Sequence, residues 1–197
     1  MMWESFIEDV KQYVLFSDKA GRNAATHKPL EAVAYLATFV GATSLVTALW
    51  VLLATNLMAA VIGAVGAFVI GTIMGTIILG IGALFLAIAA KIVSVDLNVG
   101  ESFSLLVFSH TPTFLILFLG AAFAPLLALI GIIMLISLYN LWKGISSAAK
   151  VDGVKSAIVI IVDVVLGIGV TFVLDLLLGA AIMGLVGGLG AVAVATA

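Results

Sequence analysis

Cysteine is absent from all 197 residues, so no disulfide, thiol nucleophile or thiolate-bound metal can be built from this chain. Charge is nearly as scarce: Asp, Glu, Lys and Arg together make up 9% of the residues, against roughly 25% in an ordinary soluble domain. None of the four occurs from Ala32 to Ala90, and none from Ser102 to Trp142. A basic excess is missing too, with a net charge of −2 and a pI near 5.5, which excludes the electropositive surface that nucleic-acid binding needs. The two histidines, His27 and His110, are far apart and neither lies in a ligand-spaced motif. No paired carboxylates, metal-ligand cluster or nucleophile constellation is present, so neither an enzyme nor a cofactor is expected.

What remains is apolar. Hydrophobic residues are 64% of the chain and the mean hydropathy is +1.39. A charge at the centre of a membrane-spanning helix costs roughly 3 kcal/mol on insertion scales, so long charge-free runs are the mark of segments that live in a bilayer. The fold class predicted is all-α, a polytopic transmembrane helix bundle whose first partner is the lipid bilayer. A region of about 30 residues precedes the membrane domain, 31–197, leaving no room for a second ordinary folded domain. Those mixed-charge residues and the long apolar run after them argue against a cleavable signal peptide.

Five spans are predicted, over about 32–54, 66–93, 103–119, 125–143 and 156–176. The apolar run Leu57–Val93 is too long for one crossing and short for two. Basic residues arbitrate. If that run crosses once, all eight Lys and Arg residues, from Lys11 to Lys155, fall on one side; if it crosses twice, they divide evenly. The positive-inside rule therefore favours one span, with an extension or break near Gly71, Gly75 or Gly80, and a cytoplasmic N-terminus. Pro112 falls near the middle of the third span, and Pro125 suits the first turn of the fourth. The apolar tail 177–197 is uncharged, and a sixth crossing or a re-entrant return stays open.

Near the N-terminus, Trp3, Phe6, Ile7, Val10, Tyr13 and Val14 share one helical face, with Glu4, Glu8, Asp9, Lys11 and Gln12 on the other. Such a helix can lie in the membrane interface or dock on the protein's own cytoplasmic end or on a partner; both readings are open.

Few polar residues fall inside the spans. Asp163 is the strongest candidate: a carboxyl there needs a partner or a proton. Three roles compete for it, namely a structural pair with Lys91 or Lys143, a helix–helix or oligomer contact, and a proton or cation relay. Asp175 falls near the outer interface. His110 precedes Pro112, whose ring frees the carbonyl of Phe108; it can titrate near neutrality or satisfy its own hydrogen bonds near a helix end. Ser109 beside it forms no triad motif. Asn140, with Tyr139, is expected to hydrogen-bond between helices. Gly71 and Gly75, like Gly184 and Gly188, have the GxxxG spacing that lets helix backbones approach closely, within one bundle or between copies of the chain.

The segment from Lys91 to Ala157 resembles the Yip domain family of polytopic membrane proteins in three pieces. Ala90-Lys91-Ile92-Val93 followed by Gly100-Glu101-Ser102-Phe103 is similar to the family's loop between the second and third spans. Phe108-Ser109-His110-Thr111-Pro112 resembles its aromatic-xxx-Pro element, although tyrosine is usual at the position of Phe108. Leu138-Tyr139-Asn140-Leu141-Trp142-Lys143-Gly144 and Lys155-Ser156-Ala157 resemble the end of the fourth span and the start of the fifth. The resemblance implies five spans with the N-terminus inside, and a scaffold or adaptor that binds a membrane or cytoplasmic protein. The region ahead of the first span is shorter here than in the trafficking members, and their Asp-Leu-Gly-Pro-type element is missing, so the resemblance points to the prokaryotic branch and implies the cell membrane of a prokaryote. The rival reading is a small proton- or cation-coupled transporter or channel using Asp163.

Overall fold

The computed structural model of the chain describes residues 2–170, all of them in helices and short connections. The readings made above for Asp175, for Gly184 and Gly188 and for a sixth crossing fall outside these residues. Eight α-helices follow one another: α1 Met2–Val14, α2 Asp18–Thr26, α3 Pro29–Ala54, α4 Leu57–Ile92, α5 Val99–Ser109, α6 Thr111–Ala122, α7 Ile130–Ala149 and α8 Gly153–Val170, with a 3-10 segment, Ala124–Leu129, leading into α7. The chain is an all-α polytopic membrane protein. α3, α4, the stretch Ala124–Ala149 and α8 are each long and apolar enough to cross a bilayer, and the bent pair α5–α6, where it is taken as one span, brings the number from four to five.

Polar residues sit where the helices begin. Ser17 caps α2 by accepting from Ala20 N, and Asn56 caps α4 by accepting from Ala59 N. Asn98 and Glu101 form a reciprocal capping box at α5, each side chain accepting the other's backbone N–H at 2.9 Å. Asp152 caps α8 by accepting from Lys155 N at 2.7 Å. Helix ends thus carry most of the polar groups, because only there are backbone groups left without intrahelical partners.

α3 and α4 form an antiparallel hairpin closed at Thr55 and Asn56. A Cβ on Gly71 would lie 2.9 Å from Val40 Cγ1, and one on Gly75 would lie 3.3 Å from Leu36 Cδ2, so this GxxxG pair brings two helices of the same chain together. The break expected near Gly71, Gly75 or Gly80 is not there: α4 is one uninterrupted helix of 36 residues. Neither proline nor an inserted polar side chain interrupts its ladder; Gly71 and Gly75 are used for close packing, and Gly80 faces open space without breaking the helix. At 1.5 Å per residue it is about 54 Å long, well beyond the roughly 30 Å hydrocarbon core. The excess is absorbed at its C-terminal end, where Ala83, Leu86, Ala87, Ala89 and Ala90 are buried in protein.

The third span also differs from expectation. It starts earlier, at Val99, and bends by 43° between α5 and α6. Pro112 lacks an N–H and its ring excludes the carbonyl of residue 108 from the helical ladder; the Thr111 hydroxyl takes up that carbonyl instead, donating to Phe108 O at 2.7 Å. α6 runs beside α3, with the Tyr35 and Thr111 hydroxyls 3.0 Å apart and Trp50 Nε1 donating to Ala121 O at 2.9 Å. Pro125 lies in the first turn of the 3-10 segment, and α7 continues to Ala149, past the end expected near Lys143.

The core gathers at one end of the bundle. Every residue of α5 from Ser102 to Ser109 is buried, surrounded by α2, α3, α4 and α7. At the other end, the hairpin from Leu45 to Ile81 displays Leu49, Leu53, Ile62, Ile70 and Ile78 at its surface.

Candidate functional site

The most polar construction inside the bundle is a latch that holds the N-terminal helices. The last carbonyls of α1 have no intrahelical partner. Asn140 of α7, fully buried, supplies one from a different helix: its Nδ2 donates to Tyr13 O and to Val14 O, each at 3.2 Å, and its Oδ1 accepts from Phe16 N at 3.0 Å. One amide thereby caps α1 and fixes the turn into α2. A buried amide left unpaired would cost about 1–3 kcal/mol, so the latch is specific as well as cohesive.

A second tie runs through His27, at the end of α2. His27 Nδ1 lies 3.0 Å from Glu31 Oε2, and Nε2 lies 3.1 Å from the Tyr13 hydroxyl. A carboxylate only accepts, so Nδ1 carries the proton, and in the neutral ring Nε2 accepts from Tyr13. Burial, reinforced by the nearby Asp9 carboxyl, pushes the Tyr13 phenol above its ordinary pKa and keeps it a donor. Burial also raises the Asp9 carboxyl, against an opposing pull from His27. The Ser104 hydroxyl of α5 donates to His27 O at 3.0 Å. Phe108 sits at the centre of the surrounding rings, with centroids 4.5 Å from Tyr13 and 4.7 Å from both His27 and Tyr35. Tilted pairs of this kind are worth about 0.5–1.5 kcal/mol each beyond the area they bury.

The seam between α2 and α7 is made of small residues. A Cβ on Gly21 would lie 3.0 Å from Gly144 Cα and 3.0 Å from Ser147 Cβ, while one on Gly144 would lie 3.0 Å from Leu105 Cδ2. A larger residue at Gly21 would force α2 and α7 apart, whereas one at Gly144 would have to displace the side chains of Leu105 and Phe16. At the rim Lys143 Nζ lies 3.6 Å from Asp18 Oδ1, a partly exposed pair worth at most about 1 kcal/mol.

The expected site residues therefore separate. Asn140 is the latch, and Lys143 stands beside it on α7. Lys143 pairs with Asp18, so the pairing with Asp163 considered from the sequence is not made; Lys91 is exposed and forms no ion pair among the described residues. Asp163 continues the α8 face that carries the buried Ser156 and Val159. It is half-buried and has no hydrogen bond or ion pair to another described residue. The reason is geometric: Lys91 lies in the last turn of α4 and Lys143 is held by Asp18 beside α2, whereas Asp163 lies about 15 Å along α8 from its first residue. His110 satisfies itself, its Nδ1 lying 2.7 Å from Leu106 O at the bend. No group of three or more His, Asp or Glu side chains capable of holding a metal occurs among the described residues.

Tyr13, Phe16, His27, Gly21 and Ser104 belong to the site without having been singled out. Tyr13 stood on the apolar face of α1, and the pattern Ala20-Gly21-Ala24 at helical spacing was the available signal for a tight seam. Nothing in the sequence marked His27 as a bridge, because its partners are 14 residues before it and 4 after it on separate helices. Comparison with protein-family models, with curated proteins and with solved structures gives no match.

Proposed function

We propose that the protein is an integral membrane scaffold or adaptor of the Yip type, which presents the α1–α2 unit to a protein partner at the cytoplasmic face. The observation that carries this reading is the Asn140 latch. It spends a buried amide on immobilising two short helices that do not cross the membrane, and α2 then turns the exposed side chains of Lys19 and Arg22 outward. A partner would find a rigid two-helix surface, already ordered before binding, so little conformational entropy is lost on association. The lysines and arginines flanking the spans gather at this same end, which supports placing it in the cytoplasm. Hydroxyls pair between helices at Tyr35–Thr111 and Thr113–Ser137, whereas the buried hydroxyls of Thr72, Thr76 and Ser102 have no hydrogen-bond partner among the described residues.

The test compares the full chain with Asn140→Leu, both cross-linked in native membranes and purified in mild detergent. The expected result is a protein partner recovered in stoichiometric amount with the full chain and lost with the variant, both proteins remaining in the membrane. Recovery of no partner, together with a pH-driven ion flux in reconstituted vesicles that Asp163→Asn abolishes, would replace the scaffold by a transporter.

A further inference from the structure

A groove of about 750 Å³ lies between α1, α3 and α6, with Phe68 of α4 at its back. Its wall is almost wholly apolar: Ala37, Phe39, Ala42 and Leu45 from α3, Leu115 and Phe118 from α6, and Ile7 and Val10 from α1. The one hydroxyl in the wall, Thr38, already donates to its own helix at Ala34 O, 2.9 Å away, and asks nothing of a ligand. Lys11 is the single charged residue of the lining, and it forms no ion pair among the described residues. It lines the groove with Ile7 and Val10, at i, i+3 and i+4 spacing, and not on the opposite face expected from the sequence pattern, whereas Asp9 lies one turn before the fully buried Tyr13.

The groove opens beside helix faces that expose Leu45, Leu49 and Leu117, the faces that lipid must cover. Water has no polar partners in such a space, and apolar cavities stay dry. Left empty, it would forfeit the dispersion contacts of its lining. Its size falls within the 300–1,000 Å³ of ordinary preformed ligand pockets. Hydrocarbon is the material that fits, and a cation on the rim selects what the hydrocarbon is attached to.

We propose that this groove binds one hydrocarbon chain of an anionic phospholipid, the chain lying along α3 between Ala37 and Leu45 and the lipid phosphate meeting the Lys11 ammonium. The site does not involve Asn140 and needs no protein partner, but it takes one wall from α1, which the latch positions. Bound there, the lipid adds to the contacts that α1 already makes with α5 and α6 and with Tyr35 of the first span.

The test is native mass spectrometry of the full chain in mild detergent, titrated with dioleoylphosphatidylglycerol and, separately, with dioleoylphosphatidylcholine. One phosphatidylglycerol is expected to be retained per chain, with phosphatidylcholine held more weakly. Lys11→Gln should weaken phosphatidylglycerol about fivefold, the usual effect of one basic residue at a lipid surface, and leave phosphatidylcholine unchanged. Ala42→Phe, which fills the groove from α3, should abolish retention of both; Leu115→Trp does so from α6 should the first variant fail to fold. Leu49→Phe, on an exposed face outside the lining, should bind as the parent does. Retention unchanged by Ala42→Phe or Leu115→Trp would overturn the proposal, as would equal retention of the two lipids with no response to Lys11→Gln. A protein dimer that excludes lipid and is dispersed by Ala42→Phe would assign the groove to a second copy of the chain and overturn it equally.

Discussion

The two ends of α4 carry the same kind of side chain into different surroundings. From Leu57 to Ile81 the helix shows Met58, Ile62, Ile70, Ile73 and Ile78 to the exterior, and Gly63, Gly66 and Gly80 have nothing within 4 Å of a Cβ position. From Ala83 to Ala90 Leu86 is fully buried and small residues let α5 approach. In water this difference would be written as a polar face against an apolar one. In a bilayer lipid tails are as apolar as leucine, so packing, not hydropathy, separates a core-facing position from a lipid-facing one. The packed end is held by shape and by a few hydrogen bonds, while the long arm is held by its α3 partner and by lipid.

That contrast is sharpest at Leu86→Ala, which should cost about 2–5 kcal/mol because a cavity opens in a filled site. Ile77→Ala, on the same helix but with its side chain 49% exposed, should stay within about 0.5 kcal/mol in detergent melting. Equal losses at the two positions would mean that the arm is covered by another protein surface.

Asn140→Leu is expected to follow. It removes three hydrogen bonds and leaves Phe16 N and Tyr13 O buried, and Val14 O part-buried, near apolar groups. A loss of about 2–4 kcal/mol is expected, with protease cleavage between α1 and α2 appearing before the spans melt. A variant that melts as the parent does would show that the latch adds nothing to the packed end.

Asp163→Asn should leave the melting temperature unchanged or raise it slightly, since no described cation is left uncompensated by the change. A fall equivalent to about 3–5 kcal/mol would reveal an ion pair with a group beyond residue 170 or on another copy.

The smallest effect concerns Asp9. Its carboxyl is raised by burial, so the folded state holds that proton more tightly than the unfolded chain. Its favourable contribution is complete below the unfolded value of about 3.9 and is lost as pH rises through the raised folded value. Asp9→Asn should therefore be nearly neutral in acid and mildly stabilising at pH 7. Melting curves at the two pH values check the sign, and a variant less stable at pH 7 than the parent would mean that attraction to His27 outweighs burial.

Much of this architecture was legible in residue order. Charge-free runs located the membrane segments, and Pro112 was placed inside the third span, where the bend falls. Asn140 could be recognised as an interhelical donor and acceptor, but not that it reaches back more than 120 residues to the turn after α1. Its partners are backbone groups, which every residue possesses and no sequence pattern distinguishes. The pairing first considered for Asp163 failed for a related reason: position along a span shows that a carboxyl is costly, while only the rotation and depth of each helix decide what faces it.

The sequence by itself determined that the chain is helical and lives in a membrane, because unpaired backbone groups and charges are both intolerable in hydrocarbon. It also determined, through lysine and arginine placement, that Leu57–Val93 is best read as a single crossing. Only the tertiary structure decided which apolar surface meets protein and which meets lipid, that Gly71 and Gly75 serve the α3–α4 hairpin, and that α1 is clamped to α7 by one amide. Those outcomes depend on close fit between surfaces of equal hydropathy, and shape complementarity of that kind is a property of positions in space that the order of residues does not display.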